Sequence, residues 1–393
     1  MKKTIKDYDL NGKKVIIRVD LNVPIKDGVI GDDTRIKAST STIKYAISNG
    51  ARVILFSHLG KVKDETDKIK NDLYPVSIRL SELLGKKVKF SKDTRGSKLE
   101  NMVNSLSNGD VLLVQNTRYE DLDGKKESSC DLELAKYWAG LGEIFINDAY
   151  GTSHREHASN VGISKFLPSG IGFLVEEEVT KLDSIMNDTD RPFVVIMGGA
   201  KVSDKIKVIE NLILKCDKLI IGGGMAYTFL KAMGNNVGNS LVDNDSLDFC
   251  KRMLDLYGEK IVLPVDHVVS VSLDSEITSM KLISDTNSDE MGLDIGDKTI
   301  EKFIGELKDA KRVIINGPMG CFENKLYQNG TKSIYDFITE NNIKTLVGGG
   351  DSAASVNKLS DGVKFYHIST GGGATLEYLE GKVLPGIGVI DEK

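Results

Sequence analysis

Arg18, Asp20 and Asn22 occupy alternate positions of Arg18-Val19-Asp20-Leu21-Asn22-Val23-Pro24. In an extended strand that spacing sends all three to one side, and Pro24 stops the hydrogen-bond ladder just beyond them. A guanidinium, a carboxylate and an amide at one strand end can grip a small charged molecule. Similar groups follow other apolar runs: His58 after Leu55-Phe56-Ser57, Arg118 after Leu113-Val114-Gln115-Asn116-Thr117, and Asp148 after Phe145-Ile146-Asn147. Arg35 stands near an expected helix start, and Arg155 lies in Ser153-His154-Arg155-Glu156-His157. Any one of them reads as a buried ion pair, a turn or surface. Several at the same edge of one sheet read as an anion site.

Apolar runs of the second half end in bare glycine instead: Met197-Gly198-Gly199, Ile221-Gly222-Gly223-Gly224, Ile315-Asn316-Gly317, Val347-Gly348-Gly349-Gly350 and Ser369-Thr370-Gly371-Gly372-Gly373. Glycine at such a place lets backbone N–H groups approach a phosphate. Lys201 and Lys205 follow the first of these turns four residues apart, so on one helix they share a face and can neutralise phosphate oxygens. Asp351 has two readings at a helix start: a carboxylate for Mg²⁺ bound to nucleotide phosphates, or a plain cap. Glu323, beyond Asn316-Gly317-Pro318-Met319-Gly320-Cys321-Phe322, suits hydrogen bonds from ribose hydroxyls. Gly348, Gly350 and Ala353 satisfy a dinucleotide fingerprint, yet the next strand, expected over 363–368, ends without the acidic residue that holds a ribose. P-loop and protein-kinase motifs are absent.

Groups like these need elements that aim them. The first half alternates strand-like runs with helical patterns from Asp33-Thr34 to Asn49, from Pro75 to Leu84 and from Asp131 to Ala139. The second half alternates likewise, with helices expected near 203–214, 226–232, 246–256, 299–307 and 352–358, and with short antiparallel strands between Asp266 and Ser284. Repeated strand–helix units imply mainly parallel sheets covered by helices on both faces, with ligands beyond the carboxyl ends of the strands. Between about Gly172 and Asn187 a long helical pattern has no strand before Arg191-Pro192, so it is the expected connector between two domains. A chain of 393 residues is long enough for two cores.

Composition narrows the classes. A hydrophobic content of 40% and a charged content of 28% suit a soluble globular protein, and no apolar run approaches the ~20 residues of a membrane helix. The start lacks the apolar stretch of a signal peptide, so the expected location is cytoplasmic, with no membrane partner. Residues 1–170 hold 28 Lys and Arg against 23 Asp and Glu, whereas residues 171–393 hold 24 against 34. That asymmetry suits a small multiply charged anion in the first half and is too weak for nucleic acid. Four scattered cysteines and the pair His154 and His157 show no zinc spacing.

The run Lys14-Val15-Ile16-Ile17-Arg18-Val19-Asp20-Leu21-Asn22-Val23-Pro24 resembles the signature of phosphoglycerate kinases. Further motifs agree in order: Asp33-Thr34-Arg35-Ile36, Ser57-His58-Leu59-Gly60, Asn147-Asp148-Ala149-Tyr150-Gly151, Gly198-Gly199-Ala200-Lys201-Val202-Ser203-Asp204-Lys205, Gly292-Leu293-Asp294-Ile295-Gly296 and Gly348-Gly349-Gly350-Asp351-Ser352. The likeness spans essentially the whole chain. It implies an α/β fold of two doubly wound, Rossmann-like domains joined by a long helix, with a cleft between them. A triose-binding domain would take 1–171 and 374–393, the helix 172–188, and a nucleotide-binding domain 189–373.

The resemblance also implies the chemistry: reversible transfer of a phosphoryl group from 1,3-bisphosphoglycerate to MgADP, giving 3-phosphoglycerate and MgATP, in line and after domain closure. Asp20, Leu21, Asn22, Arg35, His58, Leu59, Gly60, Lys61, Arg118 and Arg155 would hold the triose. Gly199, Ala200, Lys201, Lys205, Gly223, Gly292, Asn316, Glu323, Gly349, Gly350, Asp351 and Ser352 would hold the nucleotide, with Asp351 on Mg²⁺. Arg35, Lys201, Gly372 and Gly373 would act on the moving group. The family pattern further implies a monomer. Two positions depart from it: Lys61-Val62 replaces the usual Arg-Pro, and Asp297 replaces a proline, a change that suits a helix cap. A dehydrogenase and a non-catalytic nucleotide sensor are the competing functions, and the full set of triose groups disfavours the sensor.

Overall fold

The computed structural model describes residues 1–360 and 364–393. In its first part the strands are β1 (Lys14–Val19), the short hairpin β2 (Ile25–Lys26) and β3 (Val29–Ile30), then β4 (Arg52–Phe56), β5 (Val88–Ser91), β6 (Val111–Val114), β7 (Ile144–Asp148) and β8 (Ser169–Ile171). All but the hairpin form one six-stranded sheet in the order β5-β6-β4-β1-β7-β8. Every pairing is parallel, with Ile17 level with Leu55 and Ile146, and Val19 level with Asp148. Parallel neighbours need crossover connections, and helices α1 (Thr34–Ser48), α2 (Glu65–Lys70), α3 (Tyr74–Leu84), α4 (Ser97–Asn104) and α5 (Leu132–Ala139) lie along them. The β-branched runs are buried on both faces: Val15, Ile17 and Val53 pack with Ile43 and Leu80, while Phe56 meets Trp138 at 5.2 Å between ring centroids. Asp131 caps α5 by accepting from Leu134 N (2.8 Å), and Gly85 closes α3 at φ 64°.

Helix α6 (Phe173–Met186) leads to the second part, whose strands are β9 (Phe193–Met197), β10 (Lys218–Ile221), β11 (Ile261–Val262), β12 (Asp266–Ser270), β13 (Ser279–Leu282), β14 (Met291–Ile295), β15 (Arg312–Asn316), β16 (Lys344–Val347) and β17 (His367–Ile368). Six of them make a second parallel sheet, β11-β10-β9-β15-β16-β17, and β13-β12-β14 make a small antiparallel one. Helices α7 (Ile206–Ile213), α8 (Met225–Ala232), α9 (Leu247–Tyr257), α10 (Asp297–Leu307), α11 (Asn329–Glu340), α12 (Gly350–Leu359), α13 (Gly373–Leu379) and α14 (Pro385–Gly388) complete the chain. Both large sheets are thus doubly wound α/β layers.

Two compact units result, Met1–Thr180 with Val383–Lys393, and Lys181–Lys382. Residues 374–382, expected with the first domain, belong to the second unit. The reason is local: α13 lies on α7, where Asn211 Nδ2 donates to Leu379 O at 2.6 Å. The return proper begins at Val383, and Lys3 N then donates to Asp391 O (2.8 Å). The strand expected over 363–368 is seen as His367–Ile368, and residue 363 lies outside the described residues. Asp297 is the first residue of α10 and not its cap. Buried Asp266 takes that role, accepting from Thr299 N (2.7 Å) and Lys298 N (3.1 Å).

Candidate active site

In the first unit the carboxyl ends of β1, β4 and β6 are laced together by short side chains. Ser57 Oγ accepts from Leu21 N (2.9 Å), Asn22 Oδ1 from Gly60 N (2.9 Å), and Asn116 Oδ1 from Leu59 N (3.1 Å). Asn22, expected to face a ligand, therefore uses its amide oxygen to hold the Ser57–Gly60 turn. Asp20 accepts from Asn22 N (3.2 Å) and pairs with Arg35 Nη1 at 2.9 Å, so the second residue of α1 is drawn to the end of β1. Asp20 is buried while the Arg35 side chain is 37% exposed, which leaves the guanidinium open to a ligand.

His58 is buried, with Arg18 Nη2 at 3.3 Å from its Nδ1. Burial first, then Arg18 and Arg118, hold its pKa well below the ordinary value, so the ring is neutral. Arg118 is the second residue of a 3-10 turn, Thr117–Leu122, and is engaged by Asp121 (3.1 Å) and Ser128, with His157 Nε2 at 3.5 Å. Arg155 is exposed and donates from Nε to His154 Nε2 (3.1 Å). Lys61 is exposed too, and its carbonyl accepts from Asn71 Nδ2 (3.1 Å). Asp20, Asn22, Arg35 and His58 thus share one bonded turn system. Arg118 stands in a neighbouring polar cluster, and Arg155 and Lys61 stay at the margin.

The second unit encloses a cavity of about 420 Å³. Gly199, Ala200, Gly223, Gly292, Glu323 and Asp351 line it, all of them expected nucleotide residues. Glycine is required at two of these. A Cβ on Gly292 would meet Tyr227 Oη at 1.8 Å, and Gly223 has φ +63° with Gly199 N only 2.6 Å from a built Cβ. Lys205 lies behind the wall, donating from Nζ to Gly198 O (2.6 Å) and Asn316 O (2.7 Å) across the ends of β9 and β15. Burial lowers its pKa to about 8. Lys201 and Lys205 do not share an α-helical face: Lys201 precedes the 3-10 turn Ser203–Lys205, and α7 starts only at Ile206.

Ser352 Oγ accepts from Gly317 N (2.6 Å), and Asn316 Nδ2 donates to Gly348 O (3.1 Å), so both brace the glycine turns. Gly349, at φ +96°, precedes α12 and Gly350 begins it; Gly372, at φ +49°, precedes α13 and Gly373 begins that. Asp351 is exposed within the first turn of α12 and makes no side-chain cap there.

Sequence reasoning missed the apolar walls of the cavity, among them Tyr227, Leu241, Pro264, Leu273 and Met319, because they come from five separate segments with no common spacing. It quoted Asp294 only as part of a motif. In the structure that carboxylate is buried on the cavity wall, accepts from Gly330 N (2.8 Å) and Ile295 N (2.9 Å), and is pushed by burial up to about 7. An apolar slot with exposed carboxylates at its rim suits a flat ring carrying hydroxyls, and the glycine turns suit its phosphates. Burial raises all four thiol pKa values, which disfavours the thiolate form.

The family model for phosphoglycerate kinase matches residues 5–382. The chain belongs to the phosphoglycerate kinase family. It is 56% identical over 395 residues to the phosphoglycerate kinase of Enterococcus faecalis and 54% identical over 399 residues to that of Limosilactobacillus reuteri, with both chains of each pair covered in full. The structure of phosphoglycerate kinase from Coxiella burnetii superposes with a TM-score of 0.90 at 35% identity, covering 99% of this chain and 98% of that one. The activity is accordingly that of a phosphoglycerate kinase, a phosphotransferase of glycolysis with nucleotide substrates. Among the described residues no helix is long and apolar enough to cross a membrane.

Proposed function

We propose that the first unit binds the triose acid and the second the nucleotide, and that the chain moves the acyl phosphate of 1,3-bisphosphoglycerate reversibly onto MgADP. The observation that carries this division is the glycine-walled cavity with Glu323 and Asp351 on its lining, contained wholly within the second unit. Asp20, Leu21, Asn22, Arg35, His58, Leu59, Gly60, Lys61, Arg118 and Arg155 form the triose site in this reading, with Arg35 nearest the reacting carboxyl. Gly199, Ala200, Gly223, Gly292, Asn316, Glu323, Gly349, Gly350, Ser352 and the two lysines form the nucleotide site.

Phosphoryl transfer asks for position and charge neutralisation more than for covalent chemistry. The attacking ADP oxygen is already ionised, and so is the carboxylate that attacks in reverse, so neither direction needs a general base. Arg35, Lys201 and the backbone at Gly372 and Gly373 neutralise charge on the group in transit. Asp351 suits Mg²⁺, because an exposed carboxylate on the cavity lining is a hard oxygen donor, and Mg²⁺ takes one or two carboxylates beside substrate phosphates. The ion, when bound, would supply positive charge to the phosphate oxygens. In this reading the enzyme acts in the cytoplasm as a monomer, in keeping with the family pattern.

A coupled assay decides the reaction. Purified protein given 1,3-bisphosphoglycerate and MgADP should form ATP, and should show no nicotinamide-dependent change in absorbance without coupling enzymes. Absence of ATP formation by folded protein refutes the reading.

A further inference from the structure

Arg18, which the strand-end spacing offered as an anion-gripping group beside Asp20 and Asn22, is instead one of the largest fully buried side chains of the protein. A guanidinium out of water is costly unless its donors are used and its charge is met. Here each of its three nitrogens has a partner, and Glu127 and Asp20 are the acidic groups that act on its charge. Nη1 donates to Val19 O (2.6 Å), Nε to Ser159 Oγ (2.8 Å), and Nη2 lies 3.3 Å from Nδ1 of His58. Ser159 passes the interaction on, its hydroxyl donating to Glu127 Oε1 (2.5 Å) and its N–H to Glu127 Oε2 (2.9 Å). Glu127 is itself fully buried, so a carboxylate faces the guanidinium through one serine.

The contact with His58 has a definite polarity. Arginine has five donors and no acceptor, so Nδ1 of His58 must be the acceptor and carry no proton. A neutral imidazole then bears its single proton on Nε2, and among the described residues no protein group accepts it. We propose that Arg18 is a positioning residue: braced by Ser159 and Glu127, it locks His58 as the neutral Nε2–H tautomer, so that His58 meets a ligand oxyanion as an uncharged hydrogen-bond donor. The proposal rests on the reading that His58 contacts the triose acid.

The surroundings favour a neutral donor there. Arg18, Arg118, Arg35 and His157 all act on His58, and each cation among them opposes an imidazolium. Burial acts in the same direction. A neutral Nε2–H adds a directed donor to a site already rich in cations, without adding to their mutual repulsion.

Nitrogen-15 NMR of the histidine rings in the full-length, ligand-free protein tests this, with the His58 signals assigned by their loss in His58→Gln. The expected spectrum has one pyrrole-type nitrogen at Nε2 and one pyridine-type nitrogen at Nδ1, unchanged from pH 8 to pH 5. An Nδ1–H tautomer, or a doubly protonated ring in that range, overturns the proposal whatever any variant does. In Arg18→Met the ring should lose its single tautomer and titrate nearer the ordinary range, while the KM for 3-phosphoglycerate rises about ten- to a hundredfold, as for loss of one hydrogen bond to a charged group. Should that variant not fold, Ser159→Ala, which leaves Arg18 in place but unbraced, should show the same spectral change in smaller degree; an unaltered ring signal in a folded variant counts against the lock. His58→Gln with unchanged affinity for 3-phosphoglycerate would overturn the underlying reading instead, and the ring spectrum of the parent protein separates the two failures.

Discussion

Arg35 is the residue on which most of the proposed charge neutralisation depends. Its partner Asp20 is buried at the end of β1, so the ion pair orients a guanidinium that is otherwise partly in solvent. Arg35→Ala should lower kcat by ~10²- to 10⁴-fold, the range seen when other charge-stabilising groups are removed, while the fold is kept. Arg35→Lys should recover only part of the loss, because the charge returns without the planar fork. Steady-state rates in the ATP-forming direction read both, and an alanine variant with parental kcat removes Arg35 from the mechanism. Asp20 and His58 were legible in sequence because apolar runs mark strand ends and the side chains follow at once, and Arg35 because Asp32-Asp33-Thr34 marks a helix start. Glu127 was not: it sits in Gly124-Lys125-Lys126-Glu127-Ser128-Ser129, a stretch that looks like solvated surface. Only its tertiary partners, Ser159 and through it Arg18, explain why it is buried.

Among elements, α6 is the one that runs from the first unit into the second, with the division falling after Thr180. Its start is fastened to the end of β7. Asp148 Oδ1 accepts from Leu174 N (2.9 Å) and Val175 N (3.4 Å), and Gly172 leaves room, since a Cβ there would lie 2.3 Å from Oδ1. Burial raises this carboxyl to about 7 despite the hydrogen bonds it accepts. The folded state therefore keeps the proton to higher pH than the unfolded chain, whose ordinary value is 3.8, and stability falls as pH rises through the window from about 4 to 7. Asp148→Asn keeps an oxygen for the cap and has nothing to titrate. Between pH 5 and pH 8 the parent protein should lose about 2–3 kcal/mol more than the variant, at about 1.4 kcal/mol per pH unit up to the raised pKa. Urea unfolding midpoints at the two pH values check it; equal losses would show that Asp148 is not the titrating group. The long helix was legible from the helical pattern between about Gly172 and Asn187, and is observed as Phe173–Met186. Strands β5 and β14 and helices α2, α4 and α11 were not expected. Val88–Ser91 interleaves lysine and serine with its apolar residues, and α2 is short and has no buried residue to give it a period.

For the whole molecule the contrast between strand ends becomes, in the proposed reading, a statement about where each reactant is held. The groups of the proposed triose site lie within the first unit and the cavity within the second. Charge follows this division only weakly: the first unit carries 29 cationic and 28 anionic side chains, the second 23 and 29. Transfer needs the donor and acceptor oxygens in line at about 3–3.5 Å from the reacting centre, with water kept out. In the proposed reading the two ligands are held by different units, and closure of the kind that commonly sets the rate of such enzymes is the expected way to bring them together. Neither ligand alone should drive it fully, because each contacts chiefly one unit and so has little differential affinity for the closed state. Small-angle X-ray scattering should therefore show the radius of gyration fall when 3-phosphoglycerate and a magnesium-bound, non-hydrolysable ATP analogue are both present, and fall less with either alone. A radius unchanged by saturating amounts of both ligands would rule out closure as the step that joins the two sites.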